Sequence, residues 1–155
     1  MVMSTKRKLI YYGSFILGFG FMGALDGIIF HQLLQWHSVI MNTDRPGQIV
    51  SDGLFHFAVT VTLVVGAIVL WVGGNPMEHK RGLRVLIGGF LLGAGIFNLV
   101  EGIIDHHLLQ IHHVKPGDPH ELAYDLGFLA IGLLLAIIGY ILQRNQKENT
   151  LTAVV

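Results

Sequence analysis

Apolar residues run almost unbroken along four stretches of the chain: Leu9 to Trp36, Leu54 to Val72, Leu83 to Leu109 and Leu122 to Leu142. A helix built from such a run is apolar all round, which belongs in a bilayer rather than on the surface of a soluble domain. Each run meets the requirement of about 20 residues for crossing the hydrocarbon core. The first is too long for a signal peptide and lacks a small-residue cleavage site. The pattern therefore predicts an all-α fold, an integral membrane four-helix bundle formed by residues 1–155 as one membrane domain.

Charge orients the bundle. Lys6, Arg7 and Lys8 precede the first span, Lys80, Arg81 and Arg84 lie between the second and third, and Arg144 and Lys147 follow the fourth. Only Arg45 and Lys115 fall on the other side. Basic residues stay cytoplasmic, so both termini are expected inside and the loops after the first and third spans outside. The placement expected is a cytoplasmic membrane. Composition adds two exclusions. There is no cysteine, hence no disulfide and no thiolate ligand, and zero net charge gives nucleic-acid binding no support. The lipid bilayer and a metal ion are the partners expected, and a homo-oligomer is compatible with the pattern.

Residues 13–39 align with 88–114 without a gap at an offset of 75, with 14 of 27 positions identical. The matches include Gly13/Gly88, Gly20/Gly95, Gly27/Gly102, His31/His106, Gln35/Gln110 and His37/His112, and Asp26 meets Glu101. Chance likeness between apolar helices would not match histidine, glutamine and carboxylate together. The second and fourth spans align more weakly at an offset of 69, placing Asp52 on Glu121, Phe55 on Tyr124 and His56 on Asp125. The expectation is two duplicated transmembrane hairpins, repeat 1 over about 9–72 and repeat 2 over about 83–142, related by a pseudo-two-fold axis along the membrane normal.

All histidines but His79, together with Asp26, Asp52, Glu101, Asp105, Glu121 and Asp125, fall at the outer ends of the spans or in the outer loops. At 100° per residue, the repeating glycines and His31 lie about 100–140° around the helix from Asp26, and His106 stands likewise to Glu101. The glycines mark a seam of close helix approach, and His31 and His106 continue it on a different face from the carboxylates. His37 returns to the Asp26 face about 16 Å farther along the axis, so it and His112 are expected at the mouth of a site rather than within one. Gln35 and Gln110, a turn beyond His31 and His106, are expected to hold the imidazoles by hydrogen bonds. "NTDRPGQ" over 42–48 reads as a plain connector. Trp36, Trp71, Tyr11 and Tyr12 fit an interfacial aromatic belt.

Ionisable residues at membrane depth face an interior or a wet cavity and mark function. Imidazole with carboxylate suits zinc, iron and copper(II), and a bundle draws such ligands from facing helices. The candidate ligands are Asp26, His31, His56, Glu101, His106 and Asp125, then Glu121 and Asp52, with His37, His107 and His112 further out. The expected function is a membrane metal protein whose site opens outward, acting in metal delivery or as a small metalloenzyme. One alternative is a b-type cytochrome with His31 and His106 as axial ligands of a haem. Another is a non-catalytic subunit whose histidine–carboxylate pairs only glue helices. His107, Asp105 and His113 have no ionisable counterpart in repeat 1, which carries Gln32, Phe30 and Ser38 there.

The pairing of "LDGIIFHQLLQWH" with "VEGIIDHHLLQIHHV" resembles a family of small bacterial four-helix predicted membrane proteins of unknown function. The resemblance covers nearly the whole chain. Members are sometimes encoded with, or fused to, assembly factors for haem–copper oxidases. The resemblance thus implies metal handling, slightly favours copper, and makes oxidase assembly components the partners to expect. By position, the family's shared polar residues would be Asp26, His31, Gln35, His37, Glu101, His106, His107 and His112.

Overall fold

The computed structural model describes residues 5–74 and 79–151, with side chains over 5–74 and 82–144. His79, Lys80, Arg81 and Lys147, which entered the reading of charge and histidine placement, lie outside the described side chains. Four helices are long and apolar enough to cross a membrane. Helix α1 spans Thr5–Asp26 and runs on as a wider π-helical segment, π1, over Gly27–Leu33. Helix α2 covers Arg45–Gly73, α3 covers His79–Glu101 with its own π segment, π2, over Gly102–Leu108, and α4 covers Glu121–Leu151.

Helix α2 starts nine residues before its apolar run, because 42–48 is more than a connector. The Asp44 carboxylate accepts a hydrogen bond from the Gly47 backbone N–H at 3.0 Å. Pro46 in the first turn has no N–H to orphan. An acidic N-cap followed by proline is a strong helix start whatever the polarity of the turn it opens.

Helices α1 and α3 form the central pair, α2 packs on α1 and α4 on α3, and among the described residues α2 and α4 do not meet. Glycine permits this spacing. Gly18 lies against the Phe90 carbonyl and Gly93 against the Phe15 carbonyl so closely that neither position has room for a Cβ. A Cβ on Gly13 would stand 2.7 Å from the Leu70 backbone N, and one on Gly66 2.7 Å from that of Leu17. Side-chain-free contact of this kind replaces the hydrophobic driving force that lipid removes. Leu54, Phe57, Ile68, Trp71, Leu133 and Leu134 point outward, as the lipid-facing surface of a multi-pass membrane protein should.

Some of the deepest burial is polar. The largest side chains excluded from solvent include His106 and Asp125 beside Val85. Both belong to the end of the bundle closed by residues 34–44 and 109–120.

Candidate metal centre

The α1 and α3 helices change pitch just before this end. The Leu34 N–H donates to the Ile29 carbonyl at 2.8 Å and the Leu109 N–H to the Ile104 carbonyl at 2.7 Å, both i→i−5. A π turn stacks residue i+5 over residue i, where an α turn would stack i+4. His31 thereby returns to Asp26, with Nε2 3.2 Å from Oδ2. The reading that placed them on different faces assumed α geometry throughout, and the π segments overturn it. Glycine opens each segment, and α2 and α4 press on it. A Cβ on Gly27 would meet His56 Cε1 at 2.6 Å, and one on Gly102 would meet Leu129 Cδ2 at 2.7 Å.

The chain then doubles back. The Trp36 N–H donates to the Phe30 carbonyl at 2.9 Å and the Ile111 N–H to the Asp105 carbonyl at 3.0 Å. The residue before each donor is left-handed: Gln35 at φ 51° and Gln110 at φ 50°. This is a Schellman-like reversal widened by one residue. Glutamine there costs roughly 1–2 kcal/mol, a strain that recurs at functional sites. Gln35 and Gln110 are exposed and bond no imidazole. Their contribution is the turn, not the expected hydrogen bond to histidine.

The reversal carries His37 and His112 back into the bundle. His37 Nδ1 lies 2.8 Å from the Val114 carbonyl oxygen. His112 Nδ1 lies 3.0 Å from the Val39 carbonyl oxygen, so each ring is anchored on the other half of the chain. The two rings stack at 4.6 Å and 13°. The backbone carrying these carbonyls is itself pinned: the Val39 N–H donates to Asp52 Oδ1 at 2.9 Å and the Val114 N–H to Asp125 Oδ1 at 3.0 Å. The same carboxylates reach the inner imidazoles, Asp52 to His31 Nδ1 at 3.2 Å and Asp125 to His106 Nδ1 at 3.5 Å.

Two groups result, Asp26–His31–His37 and Glu101–His106–His112, all buried, with the ligand atoms of each within 4.8 Å of one another. His37 and His112 therefore stand in the site, not at its mouth, because the helix ends before the rise that would have carried them away. The two groups adjoin through the stacked rings of His37 and His112. A carbonyl can only accept, so Nδ1 of His37 and of His112 carries the proton and Nε2 is a bare lone pair. Nε2 of His31, His37, His106 and His112, with Asp26 Oδ2 and Glu101 Oε2, is buried without a hydrogen-bond partner. Burial and the neighbouring His112 push the His37 imidazole down to about 4, so it is neutral at pH 7 and free to donate its lone pair.

The other sequence candidates stand around these groups. Asp52 and Asp125 sit behind His31 and His106, in the place that carboxylates take behind metal-bound histidines. Phe55 packs on His31 at 5.5 Å and Phe128 on His106 at 5.3 Å. The contacts thus match Asp52 with Asp125 and Phe55 with Phe128, an offset of 73 (125 − 52) instead of the 69 read from sequence. His56 joins neither group. It packs against Gly27, and the position 73 further on is Leu129. Glu121 and His107 line an open groove beside His106. Trp36 stacks on Phe30 at 5.5 Å under Lys115, whose Nζ is 5.1 Å from the indole centroid.

Sequence reading missed Asn98, buried one turn before Glu101 with its amide oxygen unpartnered. A lone amide inside an apolar run was its signal. It also missed the Val39 and Val114 carbonyls, which no side-chain pattern marks.

The haem reading does not fit. His31, His37, His112 and His106 form a continuous row of rings at successive centroid distances of 4.7, 4.6 and 4.9 Å. Two imidazoles occupy the space a macrocycle would need between His31 and His106, and the glycine seam is filled by helix backbone.

Fold and site together define a multi-pass, all-helical membrane protein with two buried histidine–carboxylate groups able to hold metal ions. The chain belongs to the DUF2243 family of predicted membrane proteins, whose family model matches residues 13–146. No curated protein and no solved structure matches it.

Proposed function

We propose that this protein carries a resident dinuclear transition-metal centre, one ion on Asp26, His31 and His37 and the other on Glu101, His106 and His112. The observation that carries this reading is the set of bare, buried Nε2 atoms on His37 and His112, each fixed by a backbone carbonyl from the opposite half. Helix glue would satisfy those nitrogens. An unpartnered buried polar atom costs about 1–3 kcal/mol, and such atoms converging from both halves favour a cation. Two histidines and one carboxylate per ion leave coordination positions open, as in catalytic rather than structural sites. The reading is therefore a small metalloenzyme, with ligands held too rigidly for a delivery protein that must release its cargo. A metal ion so held supplies Lewis-acid activation of water or substrate.

The ligand chemistry selects among metals. Imidazole and carboxylate suit iron, zinc, manganese or copper(II), whereas copper(I) prefers thioether. The nearby Met41 sulfur is engaged by the Ser38 N–H at 3.3 Å. Iron or zinc is accordingly favoured over the copper suggested by a link to oxidase assembly. That link still names the partner class to test first. The matched contacts of the two halves support descent from a duplicated hairpin. The distribution of basic residues supports cytoplasmic termini, which puts the centre at the outer face of the bacterial cytoplasmic membrane.

Metal analysis of protein purified in detergent tests the centre. About two equivalents of a first-row metal per chain are expected. Protein that stays metal-free after reconstitution with iron, zinc, manganese and copper overturns the reading.

A further inference from the structure

The two halves differ where the centre meets solvent. On the second half an open groove, lined by His106, His107, Gln110, His113, Glu121 and Asp125, reaches the inner imidazole. Exposure falls steadily along it, from the Glu121 side chain at 34% and His113 at 26% to Asp125 at 2% and His106 at 1%. On the first half the corresponding positions of His107, His113 and Glu121 hold Gln32, Ser38 and Gln48 (107 − 75, 113 − 75, 121 − 73). Three ligating side chains on one side thus face three neutral ones on the other.

The local bonding describes an ion site. His113 Nδ1 lies 2.7 Å from Asp125 Oδ2; in the neutral ring the proton sits on Nδ1 and Nε2 is left a lone pair. Nε2 then faces Glu121 Oε1 at 3.5 Å, two electron-pair donors turned toward each other. The Gly117 N–H holds the other Glu121 oxygen at 2.9 Å, steadying the carboxylate. A carboxylate behind a histidine whose far nitrogen meets a second carboxylate is the arrangement that binds divalent metals. With two protein ligands the ion keeps most of its water, as a site that must pass its ion onward requires.

We propose that this groove is the loading port of the centre: a hydrated divalent cation is taken up by His113 Nε2 and Glu121 and passed along Asp125 to His106. The proposal rests on the dinuclear reading above, and the experiment separates the two. Apoprotein in detergent is mixed rapidly with cobalt(II), and the visible bands of the bound ion are followed in time and to completion. Glu121→Gln, which keeps the His113–Asp125 bond, and His113→Ala should each slow uptake by about tenfold or more. Their final cobalt content should equal that of the wild type. Ser38→Ala with Gln48→Ala, at the matching positions of the first half, should leave the rate unchanged. Unaltered uptake in Glu121→Gln and His113→Ala overturns the port. So does a fall in their final cobalt content, which would make these residues part of the centre. Wild-type protein that never takes up cobalt sinks the centre itself, and the port with it.

Discussion

His37 and His112 stack face to face at 4.6 Å, and each is anchored on a backbone carbonyl contributed by the other half of the chain. The pair is therefore both a ligand set and the clasp between halves. Replacing either ring by alanine should remove one ligand and one cross-link together. We expect His37→Ala and His112→Ala each to lower metal content to about one equivalent or less, read by elemental analysis. His56→Ala, outside both groups, should keep the wild-type content.

Asp52 and Asp125 each stand behind an imidazole and accept a hydrogen bond from a valine N–H. Asp52→Asn and Asp125→Asn keep the shape and change the acceptor. Metal affinity should fall about 10–100-fold in each, the usual cost of losing such a partner, measured by competition with a chelator. Unchanged affinity in both would separate these carboxylates from the metal.

Gln35 and Gln110 adopt left-handed backbone for the sake of the reversal. Glycine takes that conformation without strain, so Gln35→Gly and Gln110→Gly should preserve or raise stability, by up to about 1 kcal/mol. Valine should lower it by about 1–2 kcal/mol. Denaturant unfolding in detergent reads the difference, and a glycine variant less stable than the wild type would show that the glutamine side chain matters in itself.

The α1–α3 seam makes a sharper contrast. Gly18→Ala and Gly93→Ala force a methyl against helix backbone, whereas a Cβ on Gly53 meets nothing within 4 Å. The first two should cost about 2 kcal/mol or more, in line with overpacking a close-packed contact. Gly53→Ala should be neutral or stabilising.

Acid should loosen the apoprotein through His37. Its imidazole is held near 4 in the fold, below its ordinary 6.5, chiefly by burial and by His112. The unfolded chain thus takes up the proton first, so stability is full above about pH 6.5 and declines as pH falls toward 4. His37→Gln should flatten this part of the profile in denaturant titrations across pH 4–8.

Much of this molecule was legible in the sequence. Bilayer thickness sets a minimum length for apolar runs, so the four spans and the all-helical fold followed from composition alone. Asp26, His31, His37 and their counterparts at an offset of 75 stood out because ionisable groups in such runs are costly to keep. The sequence did not contain the pitch. Whether a turn closes i→i−4 or i→i−5 is a small difference in local energy, and no side-chain pattern marks it; here both widened turns open on glycines packed against α2 and α4. That choice puts His31 over Asp26 and His106 over Glu101. The left-handed glutamines then return His37 and His112 to a site that a straight helix would have carried them past. Side-chain identity named the ligands; the widened turns, packed against neighbours far along the chain, decided which of them meet.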